Sequence, residues 1–180
     1  MKGYYKLTIV KKTEIAQNLI DIFEKDIIPS NDTREFIVNW ILTGRSEKLK
    51  AYYDVWDIVL RNFIPKKRPI LIRSIDRKSK IEYIGSFTNS VNAAERFSNG
   101  KGYWIICDTQ RILGIFEKAY KKGEFKHSFY PLSEVLEKAK SNGGWGFSDR
   151  FLNEYAGEGE HIMKIDYNVM ILLKYIDHTY

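Results

Sequence analysis

Late in the chain, Ala156-Gly157-Glu158-Gly159-Glu160-His161-Ile162-Met163 sets two carboxylates two residues apart, where a glycine-rich acidic turn runs into an apolar segment. If a strand opens at Glu158, residues two apart share a face, and Glu158 and Glu160 project together roughly 7 Å apart along it. Two carboxylates on one face can divide a task. One stabilises a developing cation while the other orients or deprotonates an incoming nucleophile. Sugar transfer needs both services, because its transition state resembles an oxocarbenium ion. Taken alone, the tripeptide is better explained as a solvated acidic hairpin, since acidic residues usually sit on surfaces. The case for chemistry rests on residues upstream.

The elements that must position these carboxylates belong to a chain of 180 residues, 44% hydrophobic and 14% aromatic, which suits one domain able to bury its own core. No run of eighteen apolar residues occurs, and Met1-Lys2-Gly3-Tyr4-Tyr5-Lys6 lacks the order of a signal peptide, so a soluble, cytoplasmic protein without a membrane role is expected. The single cysteine, Cys107, excludes an internal disulfide, and its neighbours Ile105 and Ile106 point to a buried strand residue rather than a nucleophile. The net charge of +6 would suit an acidic partner such as nucleic acid, but its lysines are dispersed, as on a solvated surface. His127, His161 and His178 have no zinc spacing and no calcium-type acidic loop occurs, so no metal is expected.

The first third reads as helical. A short strand is expected over Tyr4 to Val10. Thr13 then caps a helix carrying Ile15, Leu19, Ile22 and Phe23, which ends near Pro29. Asp32 and Glu35 make a capping-box-like start for a stripe of Phe36, Ile37, Trp40 and Ile41 that Gly44 stops. Ser46 caps a third helix, which carries Leu49 to Phe63 and finishes before Pro65. From Pro69 the period changes. Pro69 to Ile75 and Ile81 to Phe87 read as strands, Ser90 to Phe97 as a short helix, and Gly102 to Asp108 as a strand. Ile112 to Phe116 reads as another short strand. Ser133 caps a helix through Lys140, a glycine-rich loop follows at Gly143 to Gly146, and His161 to Ile165 and Val169 to Ile176 close the sheet. The fold class is α+β, with an N-terminal helical layer over a mainly antiparallel β core.

Three features in this order resemble the mono-ADP-ribosyltransferases of the arginine, serine-threonine-serine, glutamate type, particularly the small phage-encoded ones that modify host proteins. They are Ile70-Leu71-Ile72-Arg73, then Ser86-Phe87-Thr88-Asn89-Ser90 leading into Ala93-Ala94-Glu95-Arg96-Phe97, then Glu158-Gly159-Glu160. The likeness covers about 69 to 176, and the helical N-terminal region also looks like that of the phage enzymes. It implies a split β-sheet core of the ADP-ribosyltransferase type, one domain over 1–180, with a helical part at 1–65 and an NAD-binding catalytic core at 69–180.

The resemblance implies NAD⁺ as co-substrate, with nicotinamide expelled and ADP-ribose moved to a target protein's arginine, in a bacterial host if the source is a phage. Arg73 would pair with the diphosphate, for which a guanidinium fork on a rigid strand is suited. The backbone of Ser74, where the family usually has glycine, would grip the nicotinamide amide. Thr88, Asn89 and Ser90 would stand for Ser-Thr-Ser, the hydroxyls of Thr88 and Ser90 holding the catalytic glutamate and the ribose. Ser86 is the alternative source of the first hydroxyl, and helix capping is the ordinary role for Asn89 or Ser90. Glu160 would stabilise the cationic transition state, and Glu158 would receive the acceptor guanidinium and assist its deprotonation. Tyr155 and the Gly143–Gly146 turn are candidates for target contact. The aromatic that stacks on nicotinamide is open among Phe97, Tyr103, Trp104 and Phe116. An NAD⁺ glycohydrolase, a transferase with another acceptor such as nucleic acid, and a basic nucleic-acid-binding module are the competing readings.

Overall fold

The computed structural model describes residues 6–44, 50–77, 83–98, 101–124 and 126–174. Among them, helices α1 (Ile9–Glu24), α2 (Asn31–Leu42) and α3 (Lys50–Asn62) come first. Strands β1 (Ile70–Ile75) and β2 (Ile84–Thr88), helix α4 (Val91–Ser98), strand β3 (Tyr103–Asp108) and helix α5 (Thr109–Lys121) follow. The chain then adds β4 (Phe129–Tyr130), α6 (Leu132–Ser141), α7 (Asp149–Tyr155), β5 (Glu160–Lys164) and β6 (Ile171–Lys174). The α+β class is therefore as expected.

All neighbouring strands run antiparallel in one sheet of order β4-β5-β2-β1-β3-β6. Its pairing is uneven. β1 and β3 share six register pairs and β2 and β5 share five, whereas Ile72 with Thr88 is the one pair joining β1 to β2 among the described residues. The sheet is thus nearly divided into β4-β5-β2 and β1-β3-β6.

Side-chain alternation gives each face its own core. Ile84, Ile162 and Tyr130 face the helical layer, where they meet Leu19, Phe36, Trp40, Trp56, Leu60 and Leu136. Leu71, Phe87, Ile105, Cys107 and Met163 turn the other way and are covered by Ile112 and Leu113 of α5. Cys107 is buried there, as expected for a strand cysteine, and burial pushes its thiol up to about 12.

Several elements depart from the sequence expectations. The strand expected over Tyr4 to Val10 is absent over its described part, where Ile9 already begins α1; Tyr4 and Tyr5 lie outside the described residues. Thr8, not Thr13, caps that helix by accepting from the Lys11 amide at 3.2 Å, and Thr13 instead donates to the Ile9 carbonyl inside it. Ser30 rather than Asp32 caps α2, accepting from the Thr33 amide. Ser46, the expected cap of α3, lies outside the described residues. The strand expected over Ile112 to Phe116 is the middle of α5. Asp108 caps that helix through the Gln110 amide, and Ile112, Leu113 and Phe116 are its buried stripe. Pro131 precedes α6 without a side-chain cap, so Ser133 does not start it. The glycine-rich loop is a short 3-10 turn with Gly143 and Gly144 at positive φ, and Ser148 then caps the unforeseen α7.

Candidate active site

The candidate site is laid out by the split between β1 and β2. A cavity of about 350 Å³ opens there, lined by Ile72, Arg73 and Ser74 of β1 and Ser86, Phe87 and Thr88 of β2. Ala94 and Phe97 of α4, Ile41 of α2, and Tyr155, Glu158 and Glu160 complete the wall. Residues up to 119 positions apart in the chain thus converge on one hollow, from Ile41 to Glu160.

Glu160 is the first residue of β5, opposite Thr88 of β2. Its Oε1 accepts from the Ser86 hydroxyl and, at 3.3 Å, from Nε1 of Trp40. Ser86 and Glu160 share a sheet face, so the serine reaches the carboxylate diagonally across two paired strands. Trp40 comes from the helical layer, where its ring stands edge-on to Tyr53 and Trp56. One carboxylate oxygen is therefore oriented by two donors, one from the sheet and one from the layer above it.

Glu158 reaches the cavity by another route than expected. It ends a 3-10 turn, and Gly159 stands in the left-handed region at φ 63° before β5 begins at Glu160. The two carboxylates thus do not alternate along one strand. A β-carbon on Gly159 would lie 2.0 Å from Oδ1 of Asn89, so both the conformation and the space call for glycine. Thr88 fixes this turn from below: its hydroxyl donates to the Glu158 carbonyl at 2.7 Å and accepts from the Ser90 amide at 3.0 Å. Behind it, His161 packs on the opposite sheet face, with its Nδ1 2.7 Å from the Gly159 carbonyl. Burial pushes that imidazole below its ordinary value.

Arg73 emerges from β1 on the face opposite Ile72 and Ser74, and its guanidinium lies in the split. Nη1 donates to the Ser86 carbonyl, an acceptor at the edge where β2 has little pairing with β1. Its Nε is buried without a hydrogen-bond partner. Gly85 makes the room: a β-carbon there would sit 3.2 Å from the Arg73 guanidinium carbon. On the far side, the Ser74 hydroxyl donates to the Ala94 carbonyl at 2.6 Å, pinning α4 to β1. Ser90 caps α4 through the Ala93 amide at 3.2 Å and does not line the cavity.

Of the segment 86–90, then, Ser86 holds Glu160, Thr88 holds the backbone of the turn, and Ser90 serves the helix. Phe97 lines the cavity, whereas Tyr103, Trp104 and Phe116 are not among its lining residues. Sequence reasoning missed Trp40, which reads only as part of an apolar stripe; its indole N–H, which needs a partner when buried, was the available signal. It also passed over Arg96, whose Nη2 lies 3.4 Å from Oε1 of Glu158. Among the described residues no group of three or more His, Cys, Asp or Glu side chains is placed to hold a metal ion. No described helix is long and apolar enough to cross a membrane. The chain matches no family model, no curated protein and no solved structure.

Proposed function

We propose that the chain is a mono-ADP-ribosyltransferase that moves ADP-ribose from NAD⁺ to an arginine of a target protein. The observation that carries this reading is the meeting of Arg73, Ser86, Glu160 and Glu158 around one cavity at the sheet split, with one Glu160 oxygen held by Ser86 and Trp40. A cavity of about 350 Å³ is at the small end of the range for small-molecule sites, and suits the nicotinamide end of a dinucleotide.

In this reading the glycosidic C–N bond breaks with its electron pair leaving on nicotinamide. A guanidine nitrogen of the acceptor forms the new bond to the same ribose carbon and loses a proton. Glu160, held in place before the reaction, accepts from a ribose hydroxyl and stabilises the positive charge that develops on the ring. Arg73 supplies a fixed cation for the diphosphate from a strand that the β3 pairing keeps rigid. Glu158 lines the same cavity, where a carboxylate can orient a guanidinium and receive its proton. A free guanidinium is a poor nucleophile, its pKa being about 12 or more.

The test is transfer of labelled ADP-ribose from NAD⁺ to proteins of a bacterial lysate and to agmatine, a small guanidine. Glu160→Gln should lower both transfer and nicotinamide release by a factor of about 10² to 10³, the usual loss when a charge-stabilising group is removed. Glu158→Gln should lose transfer to arginine but keep nicotinamide release. Transfer that persists in Glu158→Gln would move the reading to another acceptor, and absence of NAD⁺ turnover in the unmodified chain would end it.

A further inference from the structure

Glu158 already holds a guanidinium. Arg96, in the last turn of α4, brings Nη2 to 3.4 Å from Oε1 of Glu158, and its guanidinium carbon lies 5.9 Å from the centre of the Phe97 ring. The two partners differ in how firmly they are held. The Glu158 side chain is 26% exposed, on a turn whose carbonyl Thr88 fixes, while Arg96 is 65% exposed at the end of a long side chain. Nor does α4 depend on this pair for its position. The helix is tied to β1 by Ser74, capped by Ser90, and buries Ala93 and Ala94. The contact is also longer than the 2.7–2.9 Å of a strong charge-assisted hydrogen bond. It has the character of an occupant rather than a brace.

We infer that Arg96 occupies the acceptor subsite of its own chain, so that Glu158 and Phe97 form a guanidinium site from which an incoming arginine must displace the internal one. This rests on the reading of Glu158 as the acceptor-side carboxylate. An exposed ion pair of this kind changes an equilibrium by a factor of about five at most. The internal guanidinium is therefore a weak competitor. It disfavours small free guanidines, while a target protein that docks on the surrounding surface can displace it at little cost.

The experiment compares the unmodified chain with Arg96→Gln, Arg96→Lys and Glu158→Gln, using agmatine in two ways: direct binding by NMR titration without NAD⁺, and KM for labelled transfer. Arg96→Gln should bind agmatine about two- to fivefold tighter and lower its KM by the same factor, with the gain shrinking as salt rises. Glu158→Gln should weaken agmatine binding at this site about two- to fivefold and cancel the gain that Arg96→Gln gives. Tighter binding in Arg96→Gln without any NAD⁺ turnover would support the guanidinium site while defeating the transferase reading. Transfer with unchanged or weaker agmatine binding in Arg96→Gln would overturn the inference and leave the transferase reading standing. A fall in kcat with KM unchanged would make Arg96 a support for the Glu158 turn, and would overturn it too.

Discussion

The ring of Trp40 and its N–H belong to regions organised in opposite ways. The ring sits in an aromatic layer in which Phe36, Tyr52, Trp56, Phe63, Tyr130 and Phe23 meet at centroid distances of 5.2 to 5.8 Å, mostly tilted. Packing there is broad and largely non-directional, and it even leaves Nε1 of Trp56 buried without a partner. The N–H reaches Glu160 in the cavity wall, where the Ser86, Thr88 and Ser74 hydroxyls each donate to one acceptor and a shift in any of them moves a neighbour. The layer distributes its stability over many contacts; the cavity wall depends on a few directed hydrogen bonds. The difference teaches that the helical third is the backing plate of the site, since its packing sets where the Trp40 donor lies.

Substitutions on either side should separate the two regions. Trp56→Ala, deep in the layer, should cost about 3–5 kcal/mol in a denaturant unfolding titration. If it cost less than 1 kcal/mol, the layer would not be the rigid backing described. Ser86→Ala should do the reverse. Losing one partly buried hydrogen bond should cost about 1 kcal/mol of stability, yet lower nicotinamide release by about tenfold or more because Glu160 loses its sheet-side donor. Trp40→Phe tests the junction itself: the ring contacts largely persist while the 3.3 Å hydrogen bond goes, so kcat should fall by up to about tenfold. Equal losses of kcat and stability would merge the two regions.

The smallest effect concerns pH. Burial lowers His161, against the Gly159 carbonyl that favours its protonated form, and it lowers His127 against the neighbouring Asp57 carboxylate. As pH falls below about 6.5, the unfolded chain takes up protons that the folded imidazoles refuse, so stability should decline. The decline should end once the folded histidines titrate. Thermal unfolding should show lower stability at pH 5.5 than at pH 7.5, with the difference reduced in His161→Gln. Asp21 and Asp54, lowered by hydrogen bonds from Gln17 and from Lys12 and Lys50 despite some burial, add their losses only further down, below about 4.

Much of this is legible in the sequence. The β-branched and aromatic runs of β1 and β3 and the Asn-Ser start of α4 announce themselves through strand-favouring side chains and through capping chemistry. Of the seven site residues that the sequence points to, Arg73, Ser74, Ser86, Thr88, Glu158 and Glu160 share one cavity, and Ser90 does not line it. What was not legible depended on distant partners. In α5 an apolar run of five residues fits strand or helix equally, and only the Asp108 cap and the covering of the sheet decide. The left-handed Gly159 was hidden because Glu-x-Glu alternates in any extended reading. Trp40 is marked only by an indole N–H that needs a partner when buried, and Arg96 carries no local mark; which groups they meet, across 120 and 62 positions, is written only in the fold.

That β1 and β2 share a single register pair among the described residues also has a bearing on how this protein can change. Most sheets gain by extending their ladders. Here each further bond across the Ile72–Thr88 junction would draw the strands together and displace the Arg73 guanidinium from the Ser86 carbonyl. Searches for stabilised variants should therefore collect two kinds of winner: those that tighten the helical layer and keep the hollow, and those that zip the middle of the sheet and lose it. Selection for thermal resistance alone would not tell them apart.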